Sequence, residues 1–331
     1  MGAATFDSKV APLAETYLPY FRIGAAVNHR TLISHADLLE RHFNSLTAEN
    51  EMKWLLIEPT RGKFEFDAAD KMVAFAQQQG MAVRGHTLVW HNQTPGWVFE
   101  GGREDLLAAM RSHIETVVGR YRGKIYCWDV VNEAVADDGS DILRRSQWLE
   151  RVGEDYIAEA FLLAHQVDPG AQLYYNDYNE TNPEKRDKIY RLVKGLREQG
   201  VPVHGIGLQG HWRLDTPLAA DIRAALDLYA SLGVRLQVTE LDVSLYDWND
   251  RSVDRMVPDP DRIARQGDRY AEIFAIFKEY QTAIDGVTFW GIADDETWLD
   301  NFPVRARKDW PLLFDQSHQP KPAFWGVNGS R

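Results

Sequence analysis

Cysteine is nearly absent. The 331-residue chain carries one, Cys127, so no intrachain disulfide can form. Lying within an apolar run, it reads as a small buried hydrophobe. Basic charge is also short: 37 Lys and Arg face 49 Asp and Glu, a formal charge of −12. That balance argues against nucleic acid or anionic membranes, which call for basic patches, and no partner of either kind is expected. No run approaches the roughly 18 apolar residues needed to span a bilayer. The stretch from Met1 to Arg22 lacks a basic start followed by an uninterrupted apolar segment, so no signal peptide is expected. Neither a Gly-x-Gly-x-x-Gly nor a Walker pattern is present, against a nucleotide cofactor. A Gly-x-Ser-x-Gly elbow is missing too, against a serine nucleophile. His86 and His91 straddle a predicted strand end without any thiolate pair, so no metal and no other cofactor is expected.

What is there suits a different ligand. Hydrophobic residues make up 44% of the chain, ample for a core, and tryptophans number 11. Core packing accounts for about half of such residues. The rest suit sugar rings, whose apolar faces stack on aromatic side chains.

Short apolar runs alternate with amphipathic stretches along the whole chain. Strands are predicted over Arg22–Val27, Phe43–Thr47, Ala82–Leu88, Ile125–Val131, Leu173–Asn176, Gly205–Leu208, from Leu236 towards Glu240, and over Gly286–Trp290. Helices are predicted over His35–Arg41, Asp67–Gln79, Glu104–Tyr121, Glu154–Val167, Pro183–Gly200, Pro217–Leu232 and Pro260–Tyr280. Asp67 is the expected N-cap of the second, with Gly80 at its stop. Pro183 suits a first-turn position. Strand–helix alternation implies a parallel sheet, and eight repeats close into a (β/α)8 TIM barrel. No Pro/Gly/Ser-rich linker or compositional break interrupts the pattern, so residues 1–331 read as one catalytic domain without an appended binding module.

In such a barrel the residues just past the strands' carboxyl ends form the site floor. The buried run Ile125–Val131 ends in Asn132 and Glu133, and a second run ends in Glu240. Two glutamates leaving buried strands at the same end are the minimum equipment for cleaving a glycosidic bond. Asn50, Lys53, His86, Gln209 and His211 are expected on the same rim. Each could alone be a cap or a solvated loop residue, but together they converge from different strands.

The motifs Trp128-Asp129-Val130-Val131-Asn132-Glu133-Ala134 and Thr239-Glu240-Leu241-Asp242 resemble the two signatures of glycoside hydrolase family 10, the endo-β-1,4-xylanases. So do Thr47 to Lys53, Arg84 to His91, Tyr175 to Asn179 and Thr288 to Gly291, in family order. The resemblance covers the chain from about Ile23 to Trp325. It implies Glu133 as acid/base and Glu240 as nucleophile of a retaining double displacement on xylan or xylo-oligosaccharides. It also implies that Glu49, Asn50 and Lys53 hold the sugar two places before the scissile bond. His86, Trp90, Asn132, Gln209 and His211 would surround the sugar at the bond itself, roofed by Trp290 and Trp298, with Gln93 also binding substrate and Tyr178 on the leaving-group side. Gly210 departs from the family pattern, in which a slightly larger residue is expected.

The two carboxyls must differ in pKa. His211, oriented by Asp242, is expected to donate to Glu240 and keep it anionic. Glu133, near that charge and shielded by aromatics, should stay protonated. Two other readings remain: a retaining β-glucanase or cellobiosidase on the same fold, and a sugar-binding protein on an inactive barrel. The resemblance is to the family's intracellular bacterial members, so a cytoplasmic location is expected.

Overall fold

Each predicted apolar run forms a strand buried on both faces, and the barrel strands pair in parallel, as α/β folds with covered sheets require. The computed structural model describes residues 10–253 and 257–329. Its strands are β1 (Arg22–Val27), β2 (Ser45–Ala48), β3 (Ala82–Trp90), β4 (Cys127–Asn132), β5 (Gln172–Asp177), β6 (Gly205–Leu208), β7 (His211–Arg213), β8 (Arg235–Ser244) and β9 (Ile284–Phe289). The order β6-β5-β4-β3-β2-β1-β9-β8 closes on itself because β6 also pairs with β8. Eight of the nine strands make this ring. β7 prolongs the line of β6 past Gln209 and Gly210, pairing His211 with Asp242 high on β8. The fold is a (β/α)8 barrel.

Helices wrap the ring as expected, with modest shifts at their ends. Asp67–Gln78, Arg103–Arg120, Tyr156–Val167, Pro183–Glu198, Ala219–Ala230 and Pro260–Glu279 each connect consecutive barrel strands. Pro183 and Pro260 open their helices, behind Asn182 and Asp259, whose side chains accept from the first free backbone N–H groups. Asp67 is not an N-cap. Phe66 holds that position and Asp67 opens the helix, where its charge suits the positive end of the dipole. The short helices Leu13–Tyr17, Thr31–Ser34, Trp54–Ile57, Gln147–Arg151 and Pro322–Asn328 were not anticipated, being too brief to show a helical period. The last crosses Pro260–Glu279 at a contact needing glycine on both sides. A Cβ on Gly326 would lie 2.2 Å from the carbonyl oxygen of Gly267.

A layer of polar residues is sealed inside the barrel. Arg84 donates through Nε to Gln237 at 2.7 Å and through both terminal nitrogens to Asp129. Asp129 in turn holds Nδ1 of His86 at 2.9 Å. Among the described residues no helix is long and apolar enough to cross a membrane.

Candidate active site

Above that layer β4 ends, and the chain must turn at once. Glu133 takes a φ of +57°, a left-handed conformation that glutamate rarely adopts. Its N–H donates to the carbonyl of Asn176 at 2.9 Å, and its carbonyl accepts from Arg144 at 3.0 Å, so the turn is fixed from both sides. Strain of this kind, about 1–3 kcal/mol, persists where surrounding contacts over-determine it. Glu240 arrives differently. The expectation that it leaves its strand is corrected: β8 runs through it to Ser244, because β7 prolongs the pairing there. Gly210 supplies the bend between β6 and β7 at φ +77°. A Cβ there would meet Val238 at 3.0 Å, so a larger residue would be strained in this backbone.

A chain of side-chain amides joins the two carboxylates. Asn176 donates from Nδ2 to Glu240 Oε1 and to Asn132 Oδ1, both at 2.9 Å. Its own oxygen accepts from Thr239 at 2.6 Å, which fixes the orientation of the amide. Asn132 must then present oxygen to Asn176 and turn its NH2 away, free to donate to a ligand. Gln209 completes the chain, donating to Asn132 at 3.3 Å and to Glu133 Oε1 at 2.9 Å. Trp90 gives Glu133 a second donor at 2.9 Å, on Oε2.

The surroundings push the two acids in opposite directions. Burial raises the Glu133 carboxyl above its ordinary value, and the negative charges of Asp177 and Glu240 add to this. The bonds from Gln209 and Trp90 only partly offset it. Burial would raise Glu240 too, but the hydrogen bond from His211 and the positive charge of His86, His211 and Lys53 win, holding it at about 2. His211 lies 3.1 Å from Glu240 Oε2 and 3.0 Å from Asp242 Oδ2. Burial opposes its charge, yet the two carboxylates raise its pKa to about 10, so it is an imidazolium at neutral pH and donates to both.

Aromatic walls and polar groups enclose these acids in a cleft of about 900 Å³. All the residues singled out from the sequence line it: Glu49, Asn50, Lys53, His86, Trp90, Gln93, Asn132, Glu133, Tyr178, Gln209, His211, Glu240, Asp242, Trp290 and Trp298. Lys53 Nζ donates to Asn50 at 3.1 Å and lies 5.1 Å from the Trp90 ring centroid. Gln93 donates to the same Asn50 oxygen at 3.2 Å. Trp298 donates to Asp242 at 2.8 Å and lies against His211, ring centroids 4.8 Å apart. Tyr178, also lining the cleft, is pinned by Asp137 at 2.6 Å and Arg144 at 2.7 Å.

Residues 12–330 match the family model described as glycosyl hydrolase family 10. The chain belongs to that family. It is 56% identical to an endo-1,4-β-xylanase of Geobacillus stearothermophilus, over 97% of this chain and 98% of the relative. Identity to endo-1,4-β-xylanase B of Paenibacillus barcinonensis is 51%, over 98% and 99% of the two chains. Among solved structures, a xylanase of Paenibacillus barcinonensis in complex with a conduramine derivative superposes with a TM-score of 0.96 at 50% identity, covering 98% of this chain and 100% of that one. A family 10 xylanase of Thermobacillus composti gives 0.90 at 53% identity, covering 97% and 100%.

Several contributors to this family 10 cleft escaped the sequence reading. Asn176 lay within a quoted motif, but its contact with both Asn132 and Glu240 depends on neighbouring strands. Arg144 and Asp137, which brace Tyr178, come from the loop after β4, where no periodicity marks them. Arg213 at the end of β7, with Trp248 and Phe302 from the loops beyond β8 and β9, also lines the cleft.

Proposed function

We propose that Glu133 is the acid/base and Glu240 the nucleophile of a retaining endo-β-1,4-xylanase. One (β/α)8 catalytic domain carries both. The single observation behind this division is the opposite push on the two carboxyls, one raised and the other held at about 2. At neutral pH Glu240 is the anion that attacks the anomeric carbon. As the glycosidic C–O bond breaks, Glu133 gives its proton to the departing oxygen. The sugar is left esterified to Glu240, whose charge is gone. With it goes part of the reason for the raised pKa of Glu133, which now takes a proton from water. The water oxygen attacks the anomeric carbon as that proton leaves, Glu240 departs as carboxylate, and Glu133 is left protonated for the next cycle. Asn132, its NH2 turned from Asn176, is aimed to bond a sugar hydroxyl beside the reacting carbon. Glu49, Asn50, Lys53 and Gln93 are read as binding the sugars before the scissile bond, and Tyr178 those after it.

The substrate class follows from the relatives, which are named endo-1,4-β-xylanases, and family 10 is a retaining family. They do not favour the β-glucanase reading. Trp298, fixed by Asp242 and stacked on Phe302 at 5.0 Å, is a rigid indole that excludes the extra hydroxymethyl of glucose. Parallel rates on aryl xylobioside and aryl cellobioside test this: the xyloside should win clearly, and Trp298→Ala should narrow the ratio. A wild-type preference for the cellobioside, or an unchanged ratio in the variant, would refute it. Resemblance to the family's intracellular bacterial members supports short xylo-oligosaccharides in the cytoplasm as substrate. Native activity recovered from culture medium would refute that location.

A further inference from the structure

Away from the cleft, three side chains with metal-ligating atoms meet at the seam where the first and last barrel strands pair. His35 follows β1, Asp295 follows β9, and His318 sits in a turn before the helix Pro322–Asn328. His35 Nε2 lies 2.9 Å from Asp295 Oδ1, and His318 Nε2 lies 3.3 Å from Asp295 Oδ2. The three ligand atoms all fall within 4.8 Å of one another, and the two imidazole rings are 4.2 Å apart, tilted by 34°. In a tetrahedral site with bonds of about 2.0–2.2 Å, neighbouring donor atoms stand roughly 3.3 Å apart. Two of the three pairs, at 2.9 and 3.3 Å to the two Asp295 oxygens, are near that spacing, and the third lies within 4.8 Å.

We propose that His35, Asp295 and His318 bind a divalent transition-metal ion of the zinc type, with water as fourth ligand. Two imidazoles and one carboxylate suit such an ion, whereas calcium and magnesium demand oxygen throughout. The site has an inner and an outer side. The side chain of His35 is 1% exposed, and its Nδ1 lies 2.7 Å from Ser34 Oγ. A metal-bound histidine ordinarily has its second nitrogen held in this way, which sets the tautomer and the ring. Asp295 and His318 are 35% and 26% exposed, leaving an entry path and room for the water. Without metal the same atoms make two hydrogen bonds, each needing a proton on Nε2. Ligation needs the Nε2 lone pair, so in each ring the proton moves to Nδ1, and protons in solution compete with the ion. The bound ion would clasp the loops of the first and last strands, closing the barrel at its seam.

Titration calorimetry of the tag-free protein with zinc chloride should give one ion per chain, more weakly as pH is lowered. Cobalt(II) should show the strong visible absorption of four-coordinate geometry. His318 has a φ of +62°, so His318→Asn is the apt variant, because asparagine tolerates that backbone. It should weaken zinc at least about 100-fold with hydrolysis of aryl xylobioside unchanged, and Ser34→Ala should weaken it about tenfold or more. A wild-type protein that binds no zinc would reduce the trio to a hydrogen-bonded clasp. Equal affinity in wild type and His318→Asn would put the ion elsewhere. Either result overturns the site.

Discussion

At the residue scale, the proposed division of labour rests on His211. It is a cation because two carboxylates face it, and it is the largest of the influences that hold Glu240 down against burial. As the proposed nucleophile Glu240 must be ionised to attack, so activity should fall as pH drops through its pKa of about 2. As the proposed acid Glu133 must be protonated to release the leaving group, so activity should fall as pH rises through its raised pKa. Replacing His211 by Asn removes the charge and the donated bond. The acidic limb of kcat/KM should then move up from about 2 towards the ordinary 4.5 of a glutamate, while the basic limb still reports Glu133. A pH–rate profile checks this directly. An acidic limb left in place would mean that another cation, Lys53 or His86, governs Glu240.

At the element scale, the barrel strands carry a buried ionic relay. Arg84 on β3 spans to Asp129 on β4 and Gln237 on β8, and Asp129 orients His86 below the site. Taking one partner from a buried pair leaves the other charge uncompensated, at a cost of about 3–5 kcal/mol. Arg84→Met should therefore lower the unfolding free energy by about that amount in a denaturant titration. It should also reduce turnover, because His86 loses the anchored Asp129 that sets its ring. A loss below about 1 kcal/mol would show that Asp129 finds compensation elsewhere. The relay was not legible as such. Arg84, His86 and Asp129 stood in recognisable motifs, but which side of a strand faces the barrel depends on register. The β3–β4 and β4–β5 pairings both shift near Asp129.

At the scale of the whole molecule, the barrel was legible because a parallel sheet buried on both faces leaves continuous apolar runs, and helices between them leave amphipathic ones. Glu133 and Glu240 were legible because a carboxylate ending such a run has no place in a core. What the sequence could not show is contact between distant segments. Asn176 matters through bonds to β4 and β8, the continuation of β8 past Glu240 depends on β7, and His35, Asp295 and His318 lie far apart along the chain.

The central claim is that Glu240 forms the glycosyl bond while Glu133 only moves protons. Product analysis of Glu240→Ala and Glu133→Ala with azide and an activated aryl xylobioside tests it most directly. Without Glu240, azide should enter from the vacated face and give the α-azide. Without Glu133, the glycosyl-enzyme should form and accumulate, and azide should release it as the β-azide. Opposite anomers from the two variants are the predicted result; the same anomer from both would contradict the assignment.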